Sequence, residues 1–199
     1  MAVLKTTAGD TRRPAWSHWL TVGLVGLALA GLGAPAARAE TTLSAEYQLK
    51  AVFLFNFAQF VEWPAEAFPD AKAPLVIGVL GKDPFGAYLD DLVSGEKIGE
   101  RTLVIRRYSR LEDLTGCHIL FISRSESRSL DTIVTLLKEQ SLLTVSDADT
   151  FTRQGGMVRF AMENGKIRLR INVEAAKASK LNISSKVLRP DTIATPGKD

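Results

Sequence analysis

Residues 46–64 read Glu46-Tyr47-Gln48-Leu49-Lys50-Ala51-Val52-Phe53-Leu54-Phe55-Asn56-Phe57-Ala58-Gln59-Phe60-Val61-Glu62-Trp63-Pro64, with five aromatic side chains between Phe53 and Trp63. At 3.6 residues per turn, Tyr47, Ala51, Leu54, Ala58 and Val61 share one side of a helix. Leu49, Phe53, Phe57 and Phe60 lie on an adjoining flank. The apolar surface is wider than one stripe, so the helix needs a sheet on one side and further cover on the other. Each large side chain buried contributes roughly 1.5–3 kcal/mol, enough for this helix to anchor a domain. Pro64 sets its end, because a residue before proline is pushed out of the helical region.

The segment before this helix has the three parts of a secretory leader. Lys5, Arg12 and Arg13 precede an apolar run over 19–30, and Ala37-Arg38-Ala39 supplies small residues for cleavage before Glu40. The run is short and Gly/Ala-rich for a membrane span. Residues 1–39 are thus expected to be a signal peptide, 40–189 an α/β domain and 190–199 a flexible C-terminal tail, with the protein exported from the cytoplasm.

The leader also accounts for the basic balance. The chain has 25 Lys+Arg and 22 Asp+Glu; residues 1–39 hold four of the first and one of the second, leaving 21 of each. A neutral remainder gives no electrostatic footprint for nucleic acid. The aromatics are concentrated in one helix rather than spread over a sheet face, which also argues against a single-strand platform.

After the helix, Leu75–Leu80 is a continuous apolar run, as expected of a strand covered on both faces. Asp83 and Pro84 read as the cap and first residue of a helix burying Phe85, Leu89 and Leu92. Thr102–Arg107, Cys117–Ile122 and Leu142–Val145 read as further strands, and Ser129–Gln140 as a helix. Alternating buried strands and amphipathic helices predict a single-domain, three-layer α/β sandwich whose mostly parallel sheet is flanked by helices. Ligands in such sheets sit beyond the strands' carboxyl ends, here Gly81-Lys82, Ser123-Arg124 and Ser146-Asp147.

The pattern then changes to period two. Val158, Phe160 and Met162 alternate with polar or small residues, Asn164-Gly165 follows, and Ile167, Leu169 and Ile171 alternate with Lys166, Arg168 and Arg170. This predicts a C-terminal antiparallel hairpin in which Met162 faces Ile167, Phe160 faces Leu169 and Val158 faces Ile171. Its other face sets Arg159 opposite Arg170 with Arg168 beside them. Like charges in opposition weaken a hairpin unless carboxylates, a partner or an anion neutralise them. Gly155-Gly156 point to a bulge or a close backbone approach. Asn172 reads as the cap of a helix starting at Val173, and 180–188 as an extended tail.

No catalytic constellation emerges. Cys117 and His118 are the sole cysteine and the sole histidine after residue 39. Adjacent on a strand, they point to opposite faces, which serves neither a shared metal nor Cys–His catalysis. The G-x-S-x-G elbow is missing, and neither Asp90-Asp91 nor Asp147/Asp149 has a placeable carboxylate partner. The residues point to a non-enzyme with no cofactor and no metal.

A set of ordered blocks resembles the YfiR-like family of periplasmic proteins. They are Tyr47…Lys50-Ala51…Phe55-Asn56-Phe57…Phe60 through Pro64; Ile77–Gly81 with Asp83–Gly86; Cys117–Ser123; Leu143–Asp147; Gly155–Val158 through Ile171-Asn172; and Leu181 to Leu188. The resemblance implies a regulator that binds the periplasmic region of an inner-membrane diguanylate cyclase and represses it, lowering cyclic di-GMP and biofilm formation. It further implies sequestration by an outer-membrane lipoprotein and a homodimer. The single cysteine departs from the family in precluding an intramolecular disulfide. Lys50, Phe57, Trp63, Arg153, Arg159, Arg168, Arg170 and Asn172 are the candidate partner- or ligand-binding residues. The alternative is a periplasmic small-ligand binding module reporting to a membrane sensor.

Overall fold

The computed structural model describes residues 34–188, with side chains from Ala45 onward. The basic leader and apolar run lie outside the described residues, as does the 190–199 tail. The chain divides into Met1–Thr41 and Thr42–Asp199. Of the first unit only the helical backbone of 34–41 is described, and the expected cleavage position before Glu40 falls there.

The helices are α1 (Ala34–Phe60), α2 (Ala87–Val93), α3 (Leu130–Leu137) and α4 (Val173–Ala178). The strands are β1 (Val61–Glu62), β2 (Leu75–Leu80), β3 (Lys97–Ile98), β4 (Arg101–Tyr108), β5 (Ile119–Ile122), β6 (Leu143–Ser146), β7 (Val158–Glu163), β8 (Lys166–Ile171) and β9 (Asn182–Ile183). Seven strands form one sheet in the order β3-β4-β2-β5-β6-β7-β8. The five strands from β4 to β7 run parallel, and β3 and β8 close the edges antiparallel.

Alternate strand residues feed two cores, giving the expected three layers. Ile77, Val79, Phe121, Val145 and Phe160 pack with Leu54 and Phe57 of α1 and Leu89 of α2. Leu80, Leu120 and Ile122 pack with Leu130, Ile133, Val134 and Leu137 of α3. Burial of both faces is what makes β2, β5 and β6 read as unbroken apolar runs. The hairpin register is as read from the sequence: Met162 pairs with Ile167, Phe160 with Leu169 and Val158 with Ile171. Asn164 and Gly165 supply the two positive φ angles that such a turn requires.

Three boundaries differ from the sequence reading. Helix α1 ends at Phe60, because the extended conformation imposed before Pro64 is used by β1, which pairs with β9. The Ser184 N–H then closes the freed Phe60 carbonyl at 2.8 Å. Helix α2 starts at Ala87 rather than at Pro84: Asp83 Oδ1 accepts the Phe85 N–H at 2.7 Å, forming a local turn instead of a cap. The 180–188 segment is not wholly extended, since Val187 N–H returns to the Ser184 carbonyl.

His118 and Cys117 serve the fold. His118 is buried, accepts the Val76 N–H at Nδ1 (3.1 Å), and its Nε2 lies 3.2 Å from the Ala67 carbonyl. An amide can only donate, so Nδ1 is unprotonated and the Nε2–H donates to Ala67. Phe68 stacks on the ring at 4.3 Å, and burial lowers its pKa. Burial pushes the Cys117 thiol up to about 12, which leaves it an inert small hydrophobe at ordinary pH.

Candidate functional site

Helix α1 carries one charged side chain between Tyr47 and Val61, Lys50, and that side chain is 0% exposed. Its Nζ lies 2.6 Å from Oδ2 of Asp147, whose side chain is equally buried just beyond β6. The Tyr47 hydroxyl donates to the same Oδ2 at 2.9 Å, and Glu46, one turn before Lys50, completes the lysine's ion pairs. Lys50 Nζ also sits 4.3 Å from the Tyr47 ring centre. Arg124 closes the outside, donating to the Asp147 carbonyl at 3.0 and 3.1 Å, with Nε 3.5 Å from Oδ1. Burial, then the Asp147 carboxylate, raises the Tyr47 phenol well above its usual range.

This cluster balances two cations against two carboxylates at the carboxyl edge of the sheet, where a ligand was expected. The other strand ends there are also occupied by the protein's own groups. Ser146 Oγ donates to the Ile122 carbonyl at 2.7 Å, and Ser125 Oγ accepts the Lys82 N–H at 2.9 Å. A Cβ at Gly81 would lie 2.4 Å from Ser125 Oγ and 2.5 Å from Glu126 Oε1. The edge therefore ties α1 to the end of β6.

The remaining candidates fall in three places. Phe57 is buried and stacks on Phe160 at 6.2 Å, while Trp63 is half-buried and donates to the His118 carbonyl at 3.1 Å. Arg159 and Arg170 are cross-strand partners, as expected. Arg170 is paired with Glu163 at 2.6 Å, and Arg159 donates to the Asp149 carbonyl at 2.5 Å. Intramolecular acceptors thus offset part of the like-charge opposition. Arg168 and Arg153 are exposed, Arg168 on the same face and Arg153 in the loop between β6 and β7. Asn172 caps α4, accepting the Ala175 N–H at 3.0 Å.

Sequence reasoning missed two features. The first is the burial of Lys50 against Asp147, which fixes the outer side of α1. Leu49, Val52, Asn56 and Phe60, spaced three and four residues apart, follow the side opposite Ala51, Leu54 and Ala58. Leu49 is 47% exposed, and Val52, Asn56 and Phe60 are half-buried. With Lys50 turned inward and Gln48 and Gln59 flanking, this outward surface carries no charge from Tyr47 to Val61. The second is a cleft between α3 and α4, lined by Asn172 among others. The clue to the first was a lone lysine at a core position of an apolar helix, which required a buried carboxylate elsewhere.

Among the described residues there is no cluster of three His, Cys, Asp or Glu that could hold a metal ion, and no helix long and apolar enough to cross a membrane. No curated protein matches the chain. A family model described as YfiR/HmsC-like matches residues 47–190, from Tyr47 of the buried charge cluster to beyond β9. That span contains both cores, the hairpin and the α1 anchor: the chain belongs to the YfiR/HmsC-like family.

Proposed function

We propose that the protein is a periplasmic regulator that binds and represses an inner-membrane diguanylate cyclase, so lowering cyclic di-GMP. The family assignment supports the regulatory theme. The observation that carries the reading on this chain is the uncharged, partly apolar outer side of α1. Charged residues are depleted at the cores of protein interfaces, and an exposed helix without any is poorly explained by solvation alone. The periplasmic region of the cyclase docks on Leu49, Val52 and Phe60, with the exposed Arg168 and Arg153 as a separate charged contact. A homodimer and sequestration by an outer-membrane lipoprotein belong to the same proposal.

The test is a deletion strain assayed for cyclic di-GMP, complemented by the wild type or by Leu49→Lys/Val52→Lys, with capture of cyclases from the inner membrane. Deletion should raise cyclic di-GMP. The wild type should restore it and retain a cyclase, and the variant should do neither while keeping its thermal midpoint. No rise on deletion together with no captured cyclase overturns the reading. A second reading, a periplasmic small-ligand module reporting to a membrane sensor, draws on the cleft between α3 and α4.

A further inference from the structure

We infer that the cleft between α3 and α4 is a binding site for a small aliphatic carboxylate carrying a further hydroxy or oxo oxygen. This deepens the second reading and does not depend on the cyclase. The cleft holds about 450 Å³, within the range typical of small-molecule sites. Its apolar lining comes from Val134 and Leu137 of α3, Met157 before β7, and Ala175 and Ala178 of α4. That lining selects an apolar body and gives no aromatic stacking surface.

Two buried hydroxyls line the same cleft: Thr144 on β6, 3% exposed, and Ser179 after α4, 1% exposed. Thr144 Oγ1 accepts the Met157 N–H at 3.2 Å, which leaves its hydroxyl proton to donate elsewhere. Both hydroxyls can therefore donate to an oxygen placed in the cleft. Two hydroxyl donors on an otherwise largely apolar lining favour an occupant that brings an oxygen acceptor.

The charges at the cleft choose the sign. Glu174 is taken up by Lys177 at 3.3 Å, whereas Lys138, at the end of α3, has no ion pair among the described residues. The uncompensated ammonium favours an anionic head. Asn172 is already committed to capping α4 through Oδ1. The occupant therefore places its carboxylate at Lys138, its chain against Val134, Leu137 and Met157, and its second oxygen at Thr144 and Ser179.

The experiment titrates the purified protein with 3-hydroxyoctanoate, octanoate and octylamine, by calorimetry and by amide chemical shifts. 3-Hydroxyoctanoate should bind most tightly, octanoate more weakly, and octylamine at least tenfold more weakly than octanoate. Lys138→Glu, at an exposed position, should weaken both carboxylates at least tenfold. Ser179→Ala should erase the preference for the hydroxy acid, and Ala178→Trp should block all binding. Leu49→Lys should bind the acids as the wild type does, which separates this site from the α1 surface. Equal binding of octylamine and octanoate, indifference to Lys138→Glu, or no binding of any probe at millimolar concentration overturns the inference. Each of those results leaves cyclase control to be judged by its own assay.

Discussion

Replacing Lys50 by Met should cost several kcal/mol, although lysine is ordinarily a surface residue. The ammonium and the Asp147 carboxylate are both fully buried and 2.6 Å apart. Removing one member of a buried pair leaves the other charge desolvated, at about 3–5 kcal/mol. Two groups pull the figure toward the lower end. Asp147 keeps the Tyr47 hydroxyl at 2.9 Å and Arg124 Nε at 3.5 Å. In the converse variant, Asp147→Leu, Lys50 keeps Glu46. About 3 kcal/mol is therefore expected for either single change, or roughly 6–12 °C in Tm for a chain of this size. The pair Lys50→Met/Asp147→Leu leaves no buried charge unmatched and should recover most of the loss. Denaturant unfolding of the four proteins gives the coupling energy directly. A double variant as unstable as the sum of the singles, or a Lys50→Met protein as stable as the wild type, would refute this assignment of the cluster.

Two further outcomes follow from local geometry. Burial lowers the His118 pKa below its unfolded value of about 6.5, and Nδ1 is held unprotonated by the Val76 N–H. Above pH 6.5 both states are neutral and the contribution is whole. As pH falls below that value the unfolded chain takes up a proton first, and stability declines until the folded pKa is reached, by about 1.4 kcal/mol per pH unit. His118→Gln keeps an acceptor for Val76 and a donor for Ala67, so its denaturation midpoint between pH 6.5 and 5 should fall less steeply than the wild type's; equal slopes would count against the histidine. Gly156→Ala places a Cβ 2.4 Å from the Phe151 ring, which is fully buried and cannot retreat. Overpacking of this kind costs about 1–3 kcal/mol, read as a lowered Tm, and Phe151→Leu in the same chain should restore part of it.

Short-range patterns carried most of the fold into the sequence. The hairpin was legible because alternation and an Asn-Gly turn fix its register locally. The apolar runs of β2, β5 and β6 were legible because a strand buried on both faces leaves no room for polar residues. What escaped was set by topology. Lys50 and Asp147 are 97 residues apart, and only the crossing of α1 over the end of β6 joins them. Strands β1 and β9, two residues each, are too short to show any period. Beyond the strand ends a ligand was a fair expectation for an open parallel sheet. Here Arg124 and Asp147 are engaged with each other at that edge, and the cleft lies between two helices that no local pattern relates.

The inward turn of Lys50 links the stability of α1 to its outer surface. From Tyr47 to Phe60 the outer side of α1 bears Gln48, Leu49, Val52, Asn56, Gln59 and Phe60, a stretch with no charged side chain to form outward ion pairs that would steady the helix. Its attachment rests on what it buries: Leu54 and Phe57 in the core, and one charged pair that fixes its rotation about its own axis. Rotation by a single residue, about 100°, would draw Lys50 away from Asp147 and bring Leu54 out of the core. The buried pair therefore determines which side faces outward, and that side is the one without charge. Leu49→Lys would put charge back on the exposed side without disturbing the cluster, so its stability should match the wild type's. Lys50→Met should leave the outer side chemically intact while loosening the helix beneath it. If α1 is a docking surface, the first change should abolish partner binding in a stable protein, and the second should weaken it only as far as the helix loses its orientation.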